Sequence, residues 1–331
     1  MAGRIIQVYG LWVWVAFAFF IFVLFNQSHS PLPHSSGKPS TVKERMMRAE
    51  KAWETSVTLR HEMANKHPGY PRIPLFPAQT LEAFGKYPYT IWDFFPPVYT
   101  CPHDIQRVGR LGDGGKWVCG MSLYENRPAL PASKAGKRTK PGTVIYSFGV
   151  NGDSSFEAEM LARVPSAEIF AYDYTVASLG PQIAGPDSSR AYFKQVQLDR
   201  MDVLDRTPPF MSLQTLMKNN SHTYIDILKI DIEGAEYYSF DSFMDWCDRE
   251  NAGEMPIGQI MIELHLTDDE NLNFNRLLKW WERLEKFGMR PTWLEVNLLA
   301  VTLNPNKADP RCVEYVLVNH KDRKNIMRQE S

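Results

Sequence analysis

From Thr143 to Val318 short apolar runs alternate with stretches of helical periodicity, and this alternation restricts the possible folds more than any other feature of the chain. Thr143–Phe148, Glu168–Tyr172, Tyr192–Leu198, Ile225–Ile230 and Gln259–Leu264 have strand length, and Thr292–Ala300 and Cys312–Val318 add two more runs. Ser154–Arg163, Ser212–Lys218, Tyr237–Arg249 and Leu272–Phe287 read as helices between them. Strands separated by helices of this size form a parallel sheet covered on both faces. The expected fold is α/β, a Rossmann-like seven-stranded sheet. Ligands of such sheets sit at the carboxyl ends of the strands.

Those ends are polar. The first strand runs into SFGVNGDSSFE, where Gly149 and Gly152 allow a sharp turn. Asp153, Ser154 and Ser155 are good first residues for a helix. A new helix N-terminus presents free backbone N–H groups to a ligand. Asp173 ends the second strand, where an acid after a glycine turn grips a ribose hydroxyl pair. Asp199 ends the third strand, Asp231 and Glu233 follow the fourth, and Glu263 and His265 close the fifth.

The 331 residues carry a formal net charge of −1, and the globular part holds no concentrated basic stretch, so a nucleic-acid partner is not expected. The four cysteines include no C-x-x-C pair, so no metal site is expected.

Ile5–Phe25 is apolar, uncharged and long enough to cross a bilayer. No small-x-small cleavage site follows it, which favours an uncleaved signal anchor. The expectation is a single-pass type II membrane protein of the secretory pathway (Golgi or endoplasmic reticulum) with a lumenal catalytic domain. Residues 26–78 read as a linker followed by a solvated stalk helix, Val42–Lys66. Residues 79–142 read as a cover segment holding an aromatic–proline run, Tyr87–Tyr99, and the turn Asp113-Gly114-Gly115. That turn is either a plain hairpin or a glycine loop across the pocket, with Arg107 or Arg110 offered to a carboxylate. In a lumenal domain Cys101 and Cys119 are candidates for a disulfide around it, and Asn219 for glycosylation in an Asn-Asn-Ser sequon. Residues 143–320 form the main domain and 321–331 a tail.

The order of the glycine turn, Asp173, KIDIEGAE and IELH resembles the class I S-adenosylmethionine-dependent methyltransferases. LKIDIEGAEY is similar to their FkbM-type group, and GDGGKWVC with YSFGVNGDSSFE to the animal methyltransferase-like-24 subgroup. The resemblance spans Cys101 to about Asn319, and the family often has a further glycine where this chain has Asp153. It implies S-adenosylmethionine as cofactor. Gly149, Val150, Gly152, Asp153 and Ser154 would then cradle its methionine part, with Asp231 nearby. Asp173 would hold the ribose and Asp199 would flank the adenine. Asp231, Glu233 and His265 become candidates for orienting an acceptor and removing its proton, with His265 the preferred base because an ordinary histidine titrates near neutrality. The acceptor is left open, an oxygen being suggested by the resemblance alone, and so is the oligomeric state. Two rival readings remain: a metal-dependent lumenal glycosyltransferase using Asp231 and Glu233, and a non-catalytic protein on the same fold.

Overall fold

The structure is a computed structural model that describes residues 40–65, 88–128, 142–267, 272–301 and 310–330. The expected membrane span, most of the linker, residues 79–87 of the cover segment and the basic loop 129–141 lie outside the described residues. Among the described residues no helix is long and apolar enough to cross a membrane.

Seven strands form the main sheet: β3 (Thr143–Phe148), β4 (Ala167–Asp173), β5 (Ala191–Gln195), β8 (Ile225–Ile230), β9 (Ile257–His265), β10 (Met289–Val296) and β11 (Cys312–Asn319). Their order is β10-β11-β9-β8-β3-β4-β5. β3 pairs in parallel with β4 and β8, and β9 with β8, whereas β11 is antiparallel to both β9 and β10. The expectation of a parallel sheet is thus corrected to a mixed one, because β11 lies between β9 and β10 and runs antiparallel to both. The chain starts at β3, builds out to β5, then crosses back to β8. The crevice at the ends of β3 and β8 is therefore a topological switch point.

The strands β3, β8 and β9 are buried along their whole length, as expected for strands covered on both faces. Alternate residues point to two separate cores. Tyr146, Phe148, Leu228 and Ile230 face α4 (Leu213–Asn219), α5 (Glu236–Glu250) and α6 (Phe274–Lys286). Ile145, Ile169, Ile227 and Met261 face α3 (Ser155–Arg163), α2 (Met121–Glu125) and a hairpin of β1 (Ile105–Val108) and β2 (Lys116–Cys119).

Three expectations need correction. The run Tyr192–Leu198 is not one strand: β5 ends at Gln195, and Gln197–Leu198 (β6) leaves the sheet edge to pair with Phe210–Met211 (β7). The helix α1 (Val42–Asn65) is docked rather than solvated. Its Arg60 forms two 2.7 Å bonds to the Glu285 carboxylate of α6, and Arg290 of β10 pairs with its Glu50 at 2.7 Å. The last residues are no free tail either, since Ile326 and Met327 are buried and the Glu330 carboxylate accepts from the Val42 amide. The aromatic run does cover the domain, with Phe94 against Phe274 and Phe95 against Trp281, ring centres 4.7 and 4.8 Å apart.

Candidate active site

A cavity of about 460 Å³ opens at the carboxyl ends of the strands, within the size range of small-molecule sites. Its geometry starts at Gly149, directly after β3. This residue has φ +73°, and a side chain there would also collide with the Asp231 carbonyl at the end of β8. The Gly149 amide donates to Tyr172 O of β4, and its carbonyl accepts from Lys229 Nζ of β8. One glycine therefore joins three strand ends, as only a residue without Cβ allows.

Around it the wall over β4 and β5 is mainly apolar: Phe148, Val150, Tyr172, Val196 and Leu198. Phe148 and Tyr172 stack at 4.9 Å. Asp173 is the carboxylate of this wall, 6% exposed. Its Oδ2 accepts from the Asn151 amide (2.8 Å), and its Oδ1 from the amide and hydroxyl of Thr175 (both 2.6 Å). Asp173 thus ties the turn after β3 to the loop after β4. Oδ2 keeps an acceptor position, since a carboxylate oxygen offers about two.

The other wall is ionic. It carries Lys229, Asp231, Glu233, Glu263, His265, Asn297 and Cys312. The pairing of β9 with β11 sets His265 beside Cys312 and Glu263 beside Glu314. Lys116 of β2 reaches in above them and is 1% exposed. Its Nζ lies 2.6 Å from Glu314, 3.2 Å from Asp231 and 4.0 Å from Glu263. Burial works against the lysine charge, but Asp231, Glu314 and Glu263 together raise its pKa above the ordinary value. Burial would raise Asp231, yet Lys116, Lys229 and His265 hold its carboxyl below the usual range. Glu263 goes the other way: burial and the Asp231 charge push it up to about 8. Its Oε1 accepts from Asn297 at 2.9 Å.

His265 does not fit the role of base. Its Nδ1 lies 2.7 Å from Oε1 of Glu236, the fully buried first residue of α5. Burial opposes its charge, but hydrogen bonds to Cys312 and Glu236 and the charges of Glu236 and Glu263 raise it to about 11. The ring is therefore an imidazolium at neutral pH and has no lone pair to take a proton. The group titrating near neutrality is Glu263. Glu233 sits in the turn after β8 with φ +57°, its side chain exposed and 3.5 Å from His265 Nε2.

Of the expected cradle residues Gly149, Val150 and Asp153 line the cavity, whereas Gly152 and Ser154 do not. Gly152 has open space around it and does not line the cavity. Ser154 is buried, and its Oγ accepts from the Gly180 amide. Asp153, in the place of the family's further glycine, has a task of its own. Its Oδ1 accepts from the Ser155 amide, and its Oδ2 pairs with Arg110 of the hairpin at 2.8 Å. The hairpin turn is held at the start of α3, its Arg110 amide donating to Ser155 Oγ and its Gly109 amide to Glu159. Gly114, φ +105°, packs so close that a Cβ would meet Asp153 at 2.8 Å. The turn is a hairpin whose Arg110, Asp113 and Gly114 border the cavity. Arg107 and Gly115 do not line it; Arg107 bonds Glu295 and the Gly112 carbonyl, and Gly115 packs on the Arg110 and Val108 carbonyls. Asp199 is also displaced, because β6 turns away; it borders a separate hollow with Arg200, Ala235, Tyr238 and Arg276. Cys101 and Cys119 form a disulfide at the foot of the hairpin, and Asn219 is exposed at the end of α4. Lys116, Asn297, Cys312 and Glu314 carry no site signal in the sequence, and Glu236, one helical turn past Glu233, reads there as structural. A lysine after Asp-Gly-Gly reads as turn-exposed, and a β9–β11 register has no sequence signal.

A family model described as a methyltransferase domain matches residues 76–304, more than half of the chain. No curated protein matches the sequence. Among solved structures the chain is similar to the fibrillarin pre-rRNA processing protein of Methanococcus jannaschii, at 12% identity and TM-score 0.33, over 66% of this chain and 100% of that one. It is also similar to a cyclopropane-fatty-acyl-phospholipid synthase-like protein from Lactobacillus casei ATCC 334, at 10% identity and TM-score 0.31, over 54% and 85% of the two chains. Likenesses this distant add nothing to the family match. With its seven-stranded mixed sheet and the cavity at the switch point, the chain belongs to the methyltransferase-domain family.

Proposed function

We propose that the protein is an S-adenosylmethionine-dependent methyltransferase whose cofactor and acceptor occupy opposite ends of one cavity. The observation that carries this reading is the junction at Gly149, where an apolar wall with one acid meets an ionic wall at the switch point. Gly149 and Val150 would hold the methionine end, Asp173 the ribose hydroxyls, and Val196 and Leu198 the adenine. The residues fit such a ligand: the apolar surface suits a purine, and Asp173 keeps an acceptor position beside it. When bound, the sulfonium supplies an activated methyl group, so the protein's work is to place an acceptor and accept its proton. Asp231 and Glu233 border the space for an acceptor, and Glu263 replaces His265 as the candidate base. An oxygen nucleophile as acceptor atom is proposed on the family resemblance alone. The subgroup proposed, on the motifs LKIDIEGAEY and GDGGKWVC, is the FkbM-type group and within it the methyltransferase-like-24 pattern.

We further propose a single-pass type II protein of the secretory pathway, anchored by residues 5–25 with a lumenal domain. The Cys101–Cys119 disulfide suits an oxidising compartment, and the exposed Asn219 suits glycosylation. Glycosidase sensitivity that disappears in Asn219→Gln would support this topology; labelling of the domain from the cytosolic side would overturn it. The glycosyltransferase reading is set aside because the domain belongs to the methyltransferase family. Thermal shifts with S-adenosylmethionine, and with a sugar nucleotide plus manganese, test the enzyme reading. Stabilisation by the first alone is expected, and stabilisation by the second alone would refute it.

A further inference from the structure

The ionic wall holds a donor set of which the reading above uses Glu263 as base; with a cation bound there Glu263 is a ligand and not the base. Glu263, His265 and Cys312 each offer a ligand atom, and these atoms lie within 4.8 Å of one another. Asp231, Glu233 and His265 form a second such trio around the same ring. Nitrogen, thiol and carboxylate donors converge from two adjacent strands and the turn after β8, and all of them line the cavity.

The second observation lies behind the histidine. Its Nδ1 is bonded at 2.7 Å to Glu236, a fully buried carboxylate, while Nε2 faces Glu233 in the cavity. Glu236 is in turn fixed by the Gly234 amide at 3.1 Å. A carboxylate behind one ring nitrogen, with the other turned to an open space, is how a metal-binding histidine is oriented and made more basic.

We propose that this end of the cavity binds one thiophilic divalent cation, zinc by its donor set, through His265 Nε2, Cys312 Sγ and Glu263. Tetrahedral zinc with three protein ligands leaves one position free, and here that position faces the cavity. Asp231 and Glu233 flank it and add negative charge. The cation takes the place of the proton on Nε2, and Glu236 keeps the ring in the required tautomer. The site does not depend on which ligand fills the other end of the cavity.

The test uses the full chain, stripped with a chelator and titrated first with zinc and then with cobalt. Expected are one zinc per chain by native mass spectrometry and, with cobalt, a thiolate-to-metal charge-transfer absorption. Cys247 is buried in a core away from the cavity and the other two cysteines form the disulfide, so that absorption reports on Cys312. Cys312→Ser should remove the absorption while leaving the circular dichroism unchanged. Glu236→Gln should weaken zinc about 10- to 100-fold without removing any ligand. Zinc affinity unchanged in His265→Ala, cobalt binding without the thiolate absorption, or no retained metal would each overturn the proposal.

Discussion

Over β4 and β5 the cavity wall consists of apolar side chains and one carboxylate, Asp173, most of whose bonds go to backbone and Thr175 within two adjoining loops. Over β8, β9 and β11 it consists of charged groups held against one another, with a buried lysine at their centre. The polar group of the first wall is satisfied locally. The second is held together from a distance, by residues far apart in sequence. The difference matches the two tasks of a group-transfer site. A nucleoside is bound by shape and a few hydrogen bonds, whereas moving a proton needs groups whose charge is poised.

The largest effect is expected from removing the centre of the ionic wall. Lys116→Met leaves Asp231 and Glu314 without their shared cation, and breaking a buried ion pair in this way costs about 3–5 kcal/mol. Urea denaturation would measure it; a loss below about 1 kcal/mol would mean that the acids are already neutralised by other means.

Next comes the junction between the walls. Gly149→Ala combines a positive φ with a collision against Asp231, and backbone strain alone costs about 1–3 kcal/mol. Both walls should suffer: a lower denaturation midpoint and lost cofactor affinity are expected together. Loss of one without the other would separate the two ends.

The pH response sharpens the contrast further. In chelator-treated protein Glu263 holds its proton up to about pH 8, whereas in the unfolded chain it releases it near 4.5. Within that window the folded state binds the extra proton, so this group's contribution to stability falls as pH rises and levels off above 8. Glu263→Gln should flatten the slope and gain stability relative to the wild type at pH 8. A slope unchanged by the substitution would place the titration elsewhere. The smallest effect is expected at the rim, where Arg110→Ala breaks a half-exposed pair with Asp153 and costs less than about 1 kcal/mol.

The main strands were legible because their apolar runs are bounded by turn residues, and β3, β8 and α5 fall within a residue or two of expectation. Gly149, Asp173 and Asp231 were legible because strand ends in such a sheet are wet and functional. The rest depended on tertiary contacts. The break after Gln195 follows from an edge strand finding a new partner at Phe210, which local propensity does not encode. The docking of α1 rests on Arg60 and Glu50 meeting residues more than 200 positions away. His265 looked like a base because an ordinary histidine at a strand end titrates near neutrality. Its actual partner, Glu236, comes from α5, the helix that precedes β9, and holds the ring charged.

The central claim, a cofactor over β4 and β5 with chemistry over β8 and β9, is tested most directly by calorimetric titration of S-adenosylhomocysteine into the wild-type chain and Asp173→Asn. The account predicts one-to-one binding to the wild type and at least tenfold weaker binding to the variant, about the loss of one charged hydrogen bond. Binding of equal strength to both chains, or none to the wild type, would contradict it.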